Sequence, residues 1–385
     1  MLHSEFNGER LKEARLFNQM TISEIADLLG VTKQMVSKYE NGKSSPSLDS
    51  TFKLVQELKF PREFYYTRDK YSLHTQGTFF RSRYTSTQKE KIPSEYSKKY
   101  TAIIRDYLNE FLDFPELDWN LTNKSMSPTE YAEFIRKEWN LEEKPIIDVM
   151  NLLEEKGFVV TTVSNQSDKV DAFSSSVMIN ENKYFVILLE GNSYSFYRQQ
   201  FSLAHELGHW LMHDGIYNPQ ELDKESYKEM ENEANEFASA FLLPEKSFSN
   251  NSKQNLNQID QYLNLKRYWN VSISMMIMRA KNLGLISTEE YVKLQRQLNY
   301  RGWRKEEPLD NIRASKPIAL KQAIQLLVEN NIIEGYEIPR EIMKKYGLAL
   351  PTRMIEQLTE LKRGYLEYSA PQIVSLTALK EKKAK

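Results

Sequence analysis

The sequence predicts an α+β protein, mainly helical with one small β-sheet, and three observations carry that class. Apolar residues recur at helical spacing along most of the chain, as at Ile22, Ile25, Ala26 and Leu29. Short β-rich runs bounded by Asn, Ser and Gly are confined to about residues 157–189. The 385 residues are 40% apolar and 12% aromatic, with 22 Tyr, which is enough for packed cores and excludes wholesale disorder.

The N-terminal region reads as several short helices. Leu11, Ala14 and Leu16 give the first its helical period. Thr21 caps Ile22–Leu29, Gly30 stops that helix, Val31 fills the turn, and Thr32 caps the next, Lys33 to about Glu40. Asn41-Gly42 ends it. Ser47 then caps Leu48–Leu58, with Leu48, Phe52, Val55 and Leu58 expected on one side. Two short helices meeting at a tight Gly-containing turn form a helix-turn-helix pattern. In such a unit the second helix enters the major groove, which places Thr32, Lys33, Gln34, Ser37 and Lys38 toward base edges. Lys33 suits guanine O6/N7 and Gln34 adenine N6/N7, while Lys38, Asn41 and Lys43 suit phosphates. Residues 1–70 carry a net charge of only +1, but 32–43 alone carry +2. The positive charge is therefore local to the proposed recognition face. The expected partner is a double-stranded DNA operator read by a homodimer, with the long helices after Lys98 as the expected dimer interface.

Between Thr78 and Tyr100 stand six basic and two acidic residues, a +4 connector. An amphipathic helix from Glu95 to about Leu112 follows, then helical segments at Pro128–Trp139 and Ile146–Lys156. The β region comprises 157–163, Ala172–Ile179 and Lys183–Leu189. Beyond it the pattern is helical again, over Tyr194–Met212, Glu225–Phe241, Ile259–Leu283, Ser287–Arg301 and a tail from Pro308 to Lys385. The expected units are 1–70, helix-turn-helix; 71–127, connector and helical linker; 128–305, a central domain; and 306–385, a helical C-terminal region without an assigned role.

Composition removes several classes of function. The net charge of −1 argues against nucleic acid held over the whole surface and leaves room for one basic patch. No Cys occurs, so disulfides and thiolate metal sites are impossible. No apolar run approaches the roughly 20 residues of a membrane helix. The start carries Glu5 and Glu9 and no apolar stretch, unlike a secretory signal. A soluble, cytoplasmic protein is expected.

Three of only five His fall between 205 and 213. His205-Glu206-Leu207-Gly208-His209 is H-E-x-x-H on a predicted helix. Four residues turn a helix by about 400°, so both imidazoles project from one face, as two ligands of a tetrahedral Zn²⁺ require. Glu206 is angled away from that pair, beside the position of the attacking water, where it can take a proton and deliver it to a leaving amine. A third ligand must come from elsewhere. On the downstream helix Glu231 and Asn235 share a face, so Glu231 suits the metal while Asn235 hydrogen-bonds a ligand histidine. Glu233 competes for the same role, and Glu229 and Glu236 are weaker choices. Ala234 and Ala238 allow that helix a close approach. His213 lies about 12 Å along the helix from His205, too far to share one ion with it, and suits a structural or substrate-side place. The strand Lys183–Leu189 is the expected docking edge for an extended peptide.

H-E-L-G-H followed by E-x-E-A-N-E-F-A-x-x-F-L-L-P resembles the ImmA/IrrE family of metallopeptidases, and E-x-x-x-N is similar to the gluzincin arrangement of thermolysin-like enzymes. Lys169-Val170-Asp171-Ala172-Phe173-Ser174 fits the same family. G-E-R-L-K-E-A-R and V-T-K-Q-M-V-S-K-Y-E-N-G-K-S-S-P-S-L resemble XRE-type helix-turn-helix domains. Phe79-Phe80-Arg81-Ser82 and Arg301-Gly302-Trp303-Arg304 are similar to segments of proteins in which the two modules are fused. The resemblance covers about residues 8–305. It implies that His205, His209 and Glu231 hold the metal, zinc or in some members manganese, with Glu206 as general base. It also implies a site-specific protease that cuts an XRE-type repressor, a partner or the chain itself, to control gene expression. The competing expectation is a non-proteolytic transcription factor that uses the peptidase fold as a signal sensor. Glu206 favours the enzyme, because a structural metal site has no need of that carboxylate.

Overall fold

The computed structural model describes residues 5–75, 79–80, 88–163, 172–190, 195–216, 221–251 and 255–368. Lys169–Asp171, Arg81-Ser82 and residues 369–385 of the expected helical tail lie outside them. No helix among the described residues is long and apolar enough to cross a membrane.

The N-terminal helices are α1 (Gly8–Phe17), α2 (Ile22–Leu29), α3 (Lys33–Glu40) and α4 (Leu48–Leu58), followed by a 3₁₀ turn at Arg62–Tyr66. Local chemistry sets their ends. Thr21 and Glu24 form a reciprocal capping box on α2, and Gly30, at φ 68°, closes it in the left-handed region. Thr32 and Ser47 cap α3 and α4 through their hydroxyls. The expected face of α4 is half right, since Leu58 is in the core and Val55 packs against it. Thr51, Leu54 and Leu58 point inward, while Leu48 and Phe52 are 73% and 62% exposed. An i, i+4 pair of large apolar residues marks a stripe but does not say which stripe meets the neighbouring helices.

Next comes α5 (Gln88–Leu108), which starts before the expected Glu95 and carries Pro93 inside it. Residues 97–108 are all buried. This overturns the expectation that the helix after Lys98 forms a dimer interface, because its surface is already used within one chain. Two more helices, α6 (Pro128–Glu138) and α7 (Val149–Glu155), lead to the sheet. Its strands are β1 (Leu73–Thr75), β2 (Phe79–Phe80), β3 (Val159–Val163), β4 (Ala172–Ile179) and β5 (Asn182–Glu190). The order is β1-β4-β5-β3, with β2 also pairing β4. β3 runs parallel to β5, and β4 antiparallel to it. The strand proposed for peptide docking, β5, is therefore hydrogen-bonded on both edges and offers none, which corrects that expectation. Its continuous apolar run reflects burial on both faces.

The remaining helices are α8 (Phe196–Met212), α9 (Lys224–Leu242), α10 (Glu245–Asn251), α11 (Gln261–Trp269), α12 (Ile273–Asn282), α13 (Thr288–Tyr300), α14 (Ala319–Glu329), α15 (Ile338–Tyr346) and α16 (Thr352–Leu358). The single run expected over 259–283 is two helices. Asn270 in the left-handed region ends α11, and Ser272 caps α12.

The sheet separates two cores by its period-two alternation. On one face Val159, Phe173, Val177, Val186 and Leu188 join α5, the N-terminal helices and the C-terminal helices α14–α16. On the other, Val160, Ala172, Phe185, Ile187 and Leu189 join α6 to α9 and α11 to α13. The C-terminal helices are tied down by polar contacts as well. Leu358 accepts from Thr161 Oγ1 at 2.7 Å, and the buried Asp106 carboxylate accepts from Tyr184 and Tyr346 hydroxyls at 2.7 Å each. The N-terminal helices, α5 and the C-terminal helices thus share one apolar core.

Candidate metal centre

The site lies where α8 crosses α9. Ser195 caps α8 through its hydroxyl. Gly208, inside the H-E-x-x-H run, lets α9 come close: a Cβ there would stand 2.9 Å from the Phe237 ring and 3.4 Å from the Ala234 Cα. Ala234 and Ala238 are fully buried in the same contact.

This approach delivers Glu231 to the histidines. His205 Nε2 and His209 Nε2 are 3.0 Å apart, and the Glu231 carboxylate oxygens stand 3.4 and 3.5 Å from them. Their ligand atoms all lie within 4.8 Å of one another. Glu233, the competing choice, is turned to His213 instead, 2.9 Å from its Nε2.

The outer nitrogens support one arrangement of protons. His205 Nδ1 lies 3.1 Å from Asn235 Oδ1, the contact expected of Asn235, and its proton belongs there when Nε2 is left as a lone pair. His209 Nδ1 lies 3.0 Å from His213 Nδ1. A proton on His209 Nδ1 makes His213 Nδ1 the acceptor, so the His213 proton sits on Nε2 and is donated to Glu233 Oε2. One consistent assignment therefore runs through His209, His213 and Glu233. It leaves two imidazole lone pairs 3.0 Å apart, facing a carboxylate. Glu231 Oε1 is buried with no hydrogen-bond donor among the described residues. Two nitrogen lone pairs and an orphaned carboxylate oxygen aimed at one point fit a divalent cation such as Zn²⁺.

Burial works against ionisation of Glu231, but a proton on an adjoining ring Nε2 outweighs it and holds the carboxyl well below its usual range, and a bound cation would take that proton's place. Burial also lowers the His213 pKa, with Glu233 opposing it, which keeps that ring neutral and suited to its acceptor role. Sequence reasoning placed His213 too far away to ligate, correctly, yet missed this relay. The i, i+4 spacing from His209 was its signal.

Glu206 is buried beside the ligands, and Ser174 Oγ donates to its Oε2 at 2.5 Å. Ser174 comes from β4, on the face that also carries Ser176, which donates to Asp214 at 2.7 Å. From the other side of the sheet α5 contributes Lys98, which is 1% exposed, with Nζ 3.3 Å from Glu95. Burial lowers the Lys98 pKa, while Glu95 and, more weakly, Glu206 raise it. A +4 connector was legible in the sequence; a lysine from it reaching the field of Glu206 was not.

The proposed DNA face stands apart from this centre. Thr32, Lys33, Gln34, Lys38, Asn41 and Lys43 are exposed and Ser37 half-buried. Two of the polar groups have local duties. The Thr32 hydroxyl accepts from Met35 N–H as the α3 cap, and the Asn41 amide donates to the Ser37 carbonyl at 2.7 Å.

Comparison with known proteins matches the two halves of this geometry. Residues 11–64 match a helix-turn-helix family model, and residues 154–281 match the peptidase M78 model, the IrrE N-terminal-like domain. Over 57 residues the chain is 40% identical to the SPbeta prophage-derived uncharacterized HTH-type transcriptional regulator YonR of Bacillus subtilis (strain 168). That stretch covers 15% of this chain and 53% of YonR, so the chain spans about half the length of this curated relative. The chain thus joins an XRE-type helix-turn-helix DNA-binding domain to a metallopeptidase-type domain of the IrrE-like M78 family.

Proposed function

We propose that this protein is a DNA-binding transcriptional regulator whose peptidase domain cuts an XRE-type repressor, either a partner or the chain itself. The observation that carries the reading is the convergence of His205, His209 and Glu231 beside a buried Glu206 whose orientation is set by Ser174. His205, His209 and Glu231 would hold the ion, zinc by donor type, with manganese as the alternative. When bound, that ion supplies Lewis acidity to the scissile carbonyl and to water. Glu206, oriented by the Ser174 hydroxyl on its Oε2, takes a proton from the attacking water. It then passes the proton to the departing amine nitrogen as the C–N bond breaks. Asn235 and the His213–Glu233 pair fix the two imidazoles. The N-terminal domain brings the activity to an operator, with Lys33 and Gln34 reading bases, Thr32 and Ser37 beside them, and Lys38, Asn41 and Lys43 on phosphates. It acts as a homodimer in the cytoplasm.

Glu206→Gln tests the reading. The variant should keep metal and operator binding and lose proteolysis. Reporter induction that is unchanged in this variant sinks the peptidase mechanism.

A further inference from the structure

With β5 on one side of β4, the other edge of β4 is where an extended chain can add to this sheet beside Glu206. That edge is taken. β1 pairs along it with Leu73 opposite Ile179 and Thr75 opposite Val177, and β2 pairs further on with Phe79 opposite Ser174 and Phe80 opposite Phe173. Both pairings are antiparallel. Ser174, opposite Phe79, is the residue whose hydroxyl holds Glu206. The backbone of the connector between the DNA-binding domain and the peptidase domain therefore sits one strand away from the proposed proton carrier.

We propose that the β4 edge is the peptide-binding strand of this centre and that the connector, through β2, is its intramolecular occupant, so that a polypeptide substrate enters by displacing it. This rests on the peptidase reading above. Three features support it. The register changes by one residue between the β1 and β2 pairings, a break in the ladder at which β2 can open while β1 stays. Among the described residues β2 contributes two paired residues, a short ladder that opens at low cost. The tether is short, and a covalently linked strand competes at an effective concentration of order millimolar, enough to exclude weak peptides without a tight ladder. The recognised chemistry is extended polypeptide backbone, read antiparallel to β4.

The absence of Cys allows a reversible lock. Phe80→Cys with Phe173→Cys places two thiols at paired positions of an antiparallel ladder, within reach of a disulfide. Phe79→Pro with Phe80→Pro does the opposite and removes the donors of β2. The probe is a fluorescent synthetic peptide with the sequence of residues 73–87, followed by anisotropy against full-length protein without metal. The oxidised lock should bind it at least tenfold more weakly than the same protein after reduction, which also controls for folding. The proline variant should bind at least tenfold more tightly than the unaltered chain, and whichever of its 172–174 amides face β2 and not β5 should lose hydrogen-exchange protection. Equal binding by oxidised and reduced lock overturns the proposal, as does unchanged protection of those amides in the proline variant. None of these readouts needs catalysis. Failure of the peptidase reading shows instead as proteolysis that survives Glu206→Gln, or as no proteolysis with metal bound.

Discussion

His213→Ala is expected to weaken zinc binding although His213 touches no metal. In the proton arrangement above, His209 offers Nε2 to the ion only because its Nδ1 proton has an acceptor, His213 Nδ1, at 3.0 Å. The substitution removes that acceptor from a buried N–H. Loss of a buried hydrogen bond of this kind costs about 1–3 kcal/mol. At about 1.4 kcal/mol per tenfold, this is a loss of roughly 5- to 150-fold in affinity, and the outer partners of ligand histidines elsewhere contribute about 10- to 100-fold. His213→Gln, which keeps an acceptor, should recover part of it. Glu233→Gln should cost less than about fivefold, because a Gln carbonyl still accepts and the Glu233 side chain is already 44% exposed. The assay is chelator competition for zinc on purified full-length protein, with circular dichroism to confirm the fold. A zinc Kd within about threefold of the unaltered chain in His213→Ala would refute the relay.

Other expectations are simpler. Gly208→Ala puts a methyl 2.9 Å from the Phe237 ring, which must shift and carry α9, and with it Glu231, away from the histidines. Zinc affinity should fall by tenfold or more while operator binding is unchanged in a mobility-shift assay. Glu13 of α1 accepts from Arg10 at 2.5 Å, Lys99 at 3.0 Å and Tyr100 at 2.7 Å, all buried. Glu13→Gln should lower stability by about 3 kcal/mol in urea unfolding at neutral pH, since it removes the counter-charge of buried Lys99 and leaves Arg10 with Asp69 alone. Burial opposes ionisation of Glu13, and Lys99 and Arg10 outweigh it, so the folded pKa lies below the ordinary 4.5. The carboxylate therefore stabilises the fold fully above pH 4.5, and the margin over Glu13→Gln should shrink as pH falls below it.

The metal centre was the most legible part of the sequence because its information is local. Two histidines four apart on one helix must share a face, and Asn235 four residues after Glu231 must share another. The choice between Glu231 and Glu233 was not local. It depends on the angle at which α9 meets α8, and Gly208 and Phe237 set that angle. The sheet edge was illegible for a similar reason. β1 and β2 are three and two residues long and gain their pairing from β4, a hundred positions away, so no periodicity of their own announces them. The run at β5 was found, yet alternation cannot distinguish an edge strand from a central one when both faces are buried. The exposed Leu48 and Phe52 of α4 misled because amphipathic spacing alone does not state which side a neighbour covers.

The deepest consequence of the fold concerns α5. Adjacent residues of a helix point about 100° apart, and α5 uses this: Lys99 reaches Glu13 in the DNA-binding helices, while Lys98 is buried toward Glu95 and Glu206. Around that pair Ile25, Leu54, Tyr100, Ile103, Val186, Ile324 and Leu358 belong to one continuous core drawn from all three regions. A core of this kind is unlike the small polar interfaces across which domains swing freely. The DNA-binding helices should therefore unfold with the sheet, not before it. All five Trp lie at or beyond position 119, so Trp fluorescence reports only the peptidase side. Hydrogen exchange of α2–α4 amides reports the other. The two should give the same unfolding midpoint in urea, and α2–α4 should gain no exchange below it. A separate, earlier opening of α2–α4 would show that the shared core does not bind the two regions into one cooperative unit.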